Sequence, residues 1–309
     1  MEPAWAGRLE WLLPWASGAA ITLGVYLRFR APSALWLDEA LSVNIAELPI
    51  GAIPEALRHD GSPPLYYVLL HVWMLVFGGG DLAVRAFSGV LGVASIPLAF
   101  MAGARLGGRR MGWTAVLLLA SSPIAVRYST ETRMYSLIIF LSLIGFLALH
   151  QALARPALVP LMVVAVASGM LLLTHYWAIY LVAVVALGLA LRWRRTQGPD
   201  RDASRLALIA VASGGLFFLW WVPSFLEQLV STGTPWGAPT RLVAMFDVLG
   251  DFTGGFDGFA RSLLTMSMLL AALGLFGRAV DARRIELDLR GTPPGRWLTL
   301  ATFGTLAVG

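Results

Sequence analysis

Two adjacent carboxylates, Asp38 and Glu39, stand in the segment Trp36-Leu37-Asp38-Glu39-Ala40, directly after a long apolar run. Ionised side chains are costly near a bilayer, so their presence there favours a function. A carboxylate can act as a general base toward a hydroxyl group, and paired carboxylates suit hard cations such as Mg²⁺ or Mn²⁺. Alternatively, both acids could simply stabilise the first turn of a helix, where negative charge is favoured.

Groups that could bind a charged ligand recur later in the chain. Arg85 stands in Val84-Arg85-Ala86, several polar side chains fall between 127 and 135, and His175 follows Thr174. The planar guanidinium of Arg binds a phosphate through two parallel hydrogen bonds. The predicted catalytic residues are Asp38, Glu39 and Glu131, and the predicted substrate-binding residues are His59, Asp60, Arg85, Arg127, Tyr128, Arg133, Tyr135 and His175, with no residue assigned to a metal.

The composition indicates which elements must position these residues. Hydrophobic residues make up 58% of the chain and charged residues 13%, and the mean hydropathy is +0.73. Such values are typical of an all-α protein whose helices cross a membrane several times. The chain has no cysteine, which excludes disulfides and thiolate chemistry. All basic residues are Arg, but no Arg cluster interleaves with aromatic residues on a polar face, which argues against nucleic-acid binding.

Long apolar runs predict the membrane-spanning helices. A span needs roughly 20 residues, or somewhat fewer where the bilayer is thinned. The predicted spans are 11–29, 82–104, 111–126, 134–153, 157–174, 177–191, 206–223 and 262–280, and a further run begins near 297. Because this last run stops in mid-span, we expect the carboxy-terminal part to be incomplete.

The distribution of Arg predicts the orientation. Arg residues cluster in short loops at 105–110, 155, 192–205 and 278–290, and such loops mark the cytoplasmic side. They are alternate loops only if the short apolar run 63–77 does not cross the membrane, so we expect this run to lie at the outer interface. The candidate site residues then face the extracytoplasmic side of a multi-pass protein of the cell membrane.

Four segments, taken in order, resemble the GT-C membrane glycosyltransferases. The segments are Trp36-Leu37-Asp38-Glu39-Ala40, His59-Asp60-Gly61-Ser62-Pro63-Pro64-Leu65-Tyr66-Tyr67, Val84-Arg85-Ala86-Phe87-Ser88 and Tyr128-Ser129-Thr130-Glu131-Thr132-Arg133-Met134-Tyr135. The most similar group is glycosyltransferase family 39, the bacterial relatives of dolichyl-phosphate-mannose protein mannosyltransferases and lipid A aminoarabinose transferases. The resemblance covers residues 10–190. It implies an essential acid at Asp38, amphipathic helices along the membrane at 39–48 and 63–77, and a sugar donor carried on a polyprenyl phosphate.

These observations predict an amino-terminal catalytic module at 1–195 and further membrane helices at 196–309, with an outer loop at 224–261. In the predicted reaction, Asp38 takes the acceptor proton in a single inverting displacement, and Arg or His side chains hold the leaving phosphate. Glu39 and Glu131 would position sugar hydroxyls or bind a divalent cation. The acceptor stays open between a glycan, a lipid and a protein, and membrane lipid is a further expected partner.

The alternative function is a membrane transporter or flippase for a lipid-linked or glycan substrate. Transporters place ionisable residues in mid-span and often contain repeated halves with broken helices. Charges in mid-span are nearly absent here, and the chain shows no internal repeat. A non-catalytic membrane scaffold is a third interpretation, but it would not need paired acids or Arg in a short outer loop. The sequence therefore favours an enzyme.

Overall fold

The computed structural model describes residues 4–58 and 60–231, two strands beyond them, and isolated positions between 258 and 276. The described residues are almost entirely helical, which confirms the all-α prediction. The helices are α1 Ala4–Arg28, α2 Leu37–Glu47, α3 Ile53–Leu57, α4 Leu65–Phe77, α5 Asp81–Ser121, α6 Pro123–Ser129, α7 Tyr135–Ala154, α8 Leu158–Leu172, α9 Ala178–Arg195, α10 Gly198–Gly214 and α11 Val222–Ser231, with a 3₁₀ helix at Gly215–Trp221. The strands β1 Gly277–Asp281 and β2 Arg284–Leu287 pair as an antiparallel hairpin.

Three helical segments within the described part of the chain are long and apolar enough to cross a membrane. They are Asp81–Ser121, Tyr135–Ala154 and Gly198–Ser231. Leu65–Phe77 and Leu158–Leu172 are shorter apolar helices. This pattern is that of a polytopic helical membrane protein, as predicted. Most of the predicted span 262–280 lies outside the described residues, but its last residues form β1 instead of helix.

Helix α5 consists of two helices joined by a tight turn, which matches the predicted separate spans at 82–104 and 111–126. Gly108 in this turn has a φ of +74°, a conformation that glycine adopts without a β-carbon penalty. A β-carbon at Gly103 would lie only 2.6 Å from the carbonyl oxygen of Met111. The two halves of α5 therefore fold back on each other at close range.

The second half of α5 ends earlier than predicted, at Ser121, and a new helix begins at Pro123. Ser122 between them is extended, with φ −63° and ψ 118°. A residue that precedes proline is disfavoured in helical conformation, which explains the break. The Ser122 hydroxyl then accepts a hydrogen bond from the Ala125 N–H at 3.3 Å and caps α6.

A buried arginine joins α1 to the end of α5. The Arg28 side chain is fully buried, and its Nη2 atom donates to the Leu119 carbonyl at 2.8 Å. Its Nη1 atom donates to the carbonyls of Gly24 at 2.9 Å and Ala120 at 3.3 Å. The last carbonyls of a helix have no partner within the helix. Arg28 therefore provides hydrogen-bond donors for carbonyl groups at the end of α5.

The chain divides into two compact units, 1–176 with 206–233 and 177–205 with 234–309. The first unit contains α1 to α8, the part of α10 from residue 206 onward, the 3₁₀ helix and α11. It thus includes residues beyond 195, where the predicted amino-terminal module ends. Every candidate residue of the predicted site that the structure describes belongs to this first unit.

Within the first unit, Gln228 of α11 is buried and joins segments that are far apart in the chain. Its Nε2 atom donates to the carbonyl oxygen of Leu57, at the end of α3, at 2.6 Å. Its Oε1 atom accepts a hydrogen bond from the Tyr176 hydroxyl, which in turn accepts from Trp221 Nε1 at 2.9 Å. The side-chain amide of Gln228 therefore fixes the segment that leads into Asp60.

Candidate active site

The paired acids lie in the first turn of α2, and the helix separates them. The buried side chains of α2 follow a helical spacing and form one face, made of Glu39, Ser42, Val43 and Ala46. Glu39 accepts a hydrogen bond from the Trp36 N–H at 3.2 Å, which is one half of a capping box. Asp38 lies outside this face, and 39% of its side chain is exposed.

Glu39 forms a buried ion pair with Arg85 of α5. Its Oε1 atom accepts from Arg85 Nε at 2.9 Å and from the Thr132 N–H at 2.8 Å, and its Oε2 atom accepts from Arg85 Nη2 at 2.5 Å. Arg85 also donates to the carbonyls of Ser33 at 2.6 Å and Ala34 at 3.0 Å. Both side chains are almost fully buried. The guanidinium and the carboxylate thus form hydrogen bonds with each other and with nearby backbone groups.

The hydrogen bonds to Glu39 keep it ionised. Burial alone would raise the pKa of the Glu39 carboxyl, because a charge loses its hydration there. The hydrogen bonds from Arg85 and from the N–H groups of Thr132 and Trp36 outweigh this, and the pKa of Glu39 is below its ordinary value. The buried pair is therefore charged at neutral pH.

Arg133 lies beside Asp38 and connects α2 with the turn after α6. Arg133 Nη2 is 3.7 Å from Asp38 Oδ2. Nη1 is 3.5 Å from the Asp38 carbonyl oxygen and 3.4 Å from the Ser42 hydroxyl. The Nε atom of Arg133 is buried and has no hydrogen-bond partner. A half-exposed carboxylate thus stands next to a mostly buried cation that still has a donor to offer.

Two buried tyrosines support this region. Tyr67 donates its hydroxyl proton to Asp60 Oδ2 at 2.9 Å, and burial together with the charge of Asp60 raises the pKa of Tyr67. The Tyr66 hydroxyl lies 3.3 Å from Ser88 Oγ, and Ser88 donates to the Arg133 carbonyl at 3.2 Å. Tyr67 therefore stays protonated and orients Asp60, while Ser88 fixes the backbone that carries Arg133.

The remaining candidates form an aromatic cluster and an ion pair. The rings of Tyr128 and Tyr135 are 4.1 Å apart between centroids, and Tyr135 is 6.0 Å from the ring of His175. Arg127 Nε donates to Glu131 Oε1 at 3.0 Å. The side chain of Arg127 is 72% exposed and that of Glu131 13%. The arginine of this pair is therefore exposed, whereas both members of the Glu39–Arg85 pair are buried.

His175 is neutral in the folded protein. Burial and the nearby positive charge of Arg133 lower the pKa of His175 to about 4. At neutral pH its ring can therefore accept or donate a hydrogen bond but carries no charge. It lies on the turn after α8, close to the aromatic pair described above.

Two hydrogen bonds from backbone N–H groups join, in pairs, the chain segments that carry these side chains. The Leu65 N–H donates to the Leu173 carbonyl at 2.9 Å and joins the segment before α4 to the turn after α8. The bond from Thr132 to Glu39 joins the turn after α6 to α2. The sequence predicted that separate loops assemble one site, and the described residues of these loops do converge.

The structure brings most of the predicted residues into contact, but the contacts differ from the predicted roles. Arg85 uses its donors on Glu39 and on backbone carbonyls, and Glu39 has no oxygen directed at solvent. His59 lies outside the described residues. Sequence reasoning missed Arg28, Ser42, Tyr66, Tyr67, Ser88, Thr132 and Gln228 as positioning residues. Tyr66, Tyr67, Ser88 and Thr132 lie in the segments that resemble the GT-C glycosyltransferases, and this was the one signal available for them.

The described residues contain no group of three or more acidic or histidine side chains that could hold a metal ion. The oxygens of Glu39 already accept four hydrogen bonds from N–H donors. Glu39 therefore does not fit the predicted alternative role of a ligand for Mg²⁺ or Mn²⁺, which requires free carboxylate oxygens.

Comparison with known proteins gave a match to one family model. The family model for dolichyl-phosphate-mannose-protein mannosyltransferase matches residues 61–220, just over half of the chain. No curated protein matches the chain at a significant level. The matched residues include Arg85, Glu131, Arg133 and His175, and they begin after Asp38 and Glu39. The chain therefore belongs to the dolichyl-phosphate-mannose-protein mannosyltransferase family, a family of membrane glycosyltransferases that use lipid-linked sugar donors.

Proposed function

We propose that this protein transfers a sugar from a polyprenyl-phosphate donor to an acceptor hydroxyl on the extracytoplasmic face of the membrane, with inversion at the anomeric carbon. The observation that carries the proposal is the position of Asp38 beside Arg133, 95 residues apart in sequence. One residue supplies a base and the other a cation, and both functions are needed to move a sugar away from a phosphate.

Asp38 is proposed as the general base. Its carboxylate is partly exposed, so an acceptor hydroxyl can reach it. As the acceptor oxygen bonds to the anomeric carbon, the carbon–oxygen bond to the phosphate breaks, and the hydroxyl proton passes to Asp38. Because the family match begins at residue 61, the role of Asp38 rests on its contacts and on the order of the motifs.

Arg133 is proposed as the residue that holds the donor phosphate. Its guanidinium is mostly buried, and its buried Nε atom lacks a partner. A buried unsatisfied donor is uncommon in native proteins and calls for a ligand or water. A phosphate oxygen would satisfy it and would be stabilised as negative charge develops on the leaving group.

The structure changes the roles that we propose for other candidates. Arg85 and Glu39 are proposed to position the site and not to contact the substrate. Two further groups remain proposed contacts for the sugar or the phosphate. They are the ion pair of Arg127 with Glu131 and the aromatic cluster of Tyr128, Tyr135 and His175. Asp60, held by Tyr67, is proposed to bind sugar hydroxyls.

The test is sugar transfer in membranes that contain the protein. Radiolabelled mannose, arabinose and glucose, each carried on a polyprenyl phosphate, are offered in parallel to the wild type and to Asp38→Asn. We expect the wild type to transfer one of them and to release polyprenyl phosphate in equal amount. Movement of intact donor across the bilayer without release of polyprenyl phosphate would contradict the proposal and favour a flippase.

A further inference from the structure

One hydrogen bond joins the neighbours of the two proposed functional residues. Glu39 follows Asp38 in the chain, and Thr132 precedes Arg133. The Thr132 N–H donates to Glu39 Oε1 at 2.8 Å across 93 residues of sequence. This contact therefore lies one residue away from Asp38 on one side and from Arg133 on the other.

Arg85 extends this connection to a third element. It donates to both oxygens of Glu39 and also to the carbonyls of Ser33 and Ala34, in the segment that leads into α2. The pair thus joins α5, the start of α2 and the turn that carries Arg133. Glu39, Arg85 and Thr132, which meet at this junction, are all buried.

We infer that Glu39 and Arg85 form a positioning pair that holds Asp38 at the distance from Arg133 needed for transfer. The inference rests on the proposed function. Neither residue contacts the substrate, so the pair acts through Asp38. A misplacement of about 1 Å at a reacting group can lower a rate about 100-fold, which gives the pair a large effect on turnover without a change in the chemistry.

The main experiment is a double-mutant cycle between Glu39→Gln and Asp38→Asn, measured as single-turnover rates with saturating donor in detergent-solubilised protein. Glu39→Gln should lower the rate about 10–100-fold and change the donor Kd less than about threefold. In the Asp38→Asn background, Glu39→Gln should cause no further loss, because the residue through which it acts is already disabled. An equal loss in both backgrounds, or no loss in either, would overturn the inference.

A second pair of variants separates positioning from folding. Glu39→Gln leaves Arg85 as a buried cation without its counter-charge, so it could also reduce stability. The double variant Glu39→Leu with Arg85→Met removes both buried charges. We therefore expect its thermal midpoint to return to within a few degrees of wild type. Thr132 then has no acceptor, so the rate should remain at least about tenfold low. Recovery of the rate together with the midpoint would show a purely structural pair.

The outcomes for the two proposals are distinguishable. The proposed function fails if the wild type transfers no sugar from any polyprenyl-phosphate donor. The positioning pair fails if a working enzyme shows independent effects of Glu39 and Asp38. Asp202→Asn serves as a matched control for handling and expression, because this exposed acid lies outside the compact unit that contains the site.

Discussion

At the scale of single residues, Asp38 and Glu39 show how a helix assigns different roles to neighbours. Successive residues in an α-helix are rotated by about 100°, so two adjacent side chains cannot face the same way. Glu39 points into the protein and is saturated by N–H donors, while Asp38 remains partly exposed. The exposed acid is the one suited to proton transfer.

The substitution Asp38→Asn tests this assignment. Asn is nearly isosteric with Asp but cannot accept the proton, so kcat should fall about 10²–10⁴-fold, the usual contribution of a general base. Donor binding and the thermal midpoint should be close to those of wild type. Asp200→Asn, at an exposed acid, is the matched control and should retain full turnover. Normal kcat in well-folded Asp38→Asn would exclude Asp38 as the base.

The substitution Arg133→Lys tests the phosphate site. Lysine keeps the positive charge but loses the planar fork and the Nε donor, so donor affinity should fall about 10–100-fold, as expected for one or two charged hydrogen bonds. The measurement is a donor titration in nanodiscs. Arg205→Lys, at an exposed position, is the control. Equal donor affinity in both variants would remove Arg133 from the site.

The neutral state of His175 predicts a pH dependence of stability. Its folded pKa of about 4 lies below the unfolded value of about 6.5, so protonation favours the unfolded state. The stabilisation is complete above pH 6.5 and should be lost as the pH falls toward 4, by up to about 3 kcal/mol. Glu39, whose pKa is also lowered, likewise contributes stability that is lost as the pH falls below the ordinary pKa of a glutamate.

Unfolding midpoints of wild type and His175→Gln, measured between pH 7 and pH 4, check this prediction. The midpoint of wild type should fall more steeply than that of the variant, which has no group that titrates at this position. Parallel curves would mean that the pKa of His175 is the same in the folded and unfolded states, and would contradict the prediction.

The candidate site was predictable from the sequence as a set of residues but not as a set of contacts. Charged residues outside the apolar runs or near their ends stand out, which is why Asp38, Arg85 and Arg133 were found. Burial and pairing depend on tertiary packing. Arg85 was predicted to bind phosphate, but its donors are used by Glu39 and by backbone carbonyls. The role of the Thr132 N–H could not be predicted, since every residue but proline has this donor.

At the scale of elements, close helix packing depends on glycine. A β-carbon at Gly24 of α1 would lie 2.5 Å from the Ala120 carbonyl oxygen at the end of α5. The Ala120 carbonyl also accepts a hydrogen bond from Arg28. It therefore cannot move away from a new β-carbon without disturbing this bond at the helix end. Small residues at such positions let helix backbones approach each other in membranes.

We predict that Gly24→Ala lowers the free energy of unfolding by about 1–3 kcal/mol, the usual cost of overpacking. Gly145→Ala is the matched control, because its β-carbon would lie 3.5 Å from Ala167 Cβ, an ordinary contact. The control should be neutral or more stable by up to about 1 kcal/mol, since alanine favours helix over glycine. Thermal unfolding in the same detergent compares the two, and equal midpoints would contradict the prediction.

Helix positions were predicted well because apolar runs determine them, whereas helix ends and tertiary contacts were not. The run 111–126 was predicted as one span, yet Pro123 ends the helix at Ser121 and starts α6. The partnership of Arg28 with the end of α5 was also missed. Its acceptors are backbone carbonyls, which carry no sequence signature.

At the scale of the whole molecule, the orientation in the membrane remains a prediction that rests on the Arg-rich loops. The chain has no cysteine, so single introduced cysteines report on one position each. Gly51→Cys should react with a membrane-impermeant maleimide in intact cells, and Gln197→Cys should react only after the membrane is opened. Both positions are exposed, and a β-carbon at Gly51 would meet no atom within 4 Å. The reverse pattern would invert the topology.

The bond between Gln228 and Leu57 has a consequence for the order in which the protein is made. The two residues are 171 positions apart, and chains grow at about 5–20 residues per second. The segment that ends in Leu57 is therefore synthesised roughly 10–30 s before the residue that fixes it leaves the ribosome. During that interval the turn leading into Asp60 lacks its anchor, so the loop reaches its final arrangement late in translation, after most of the helices that surround it have been synthesised.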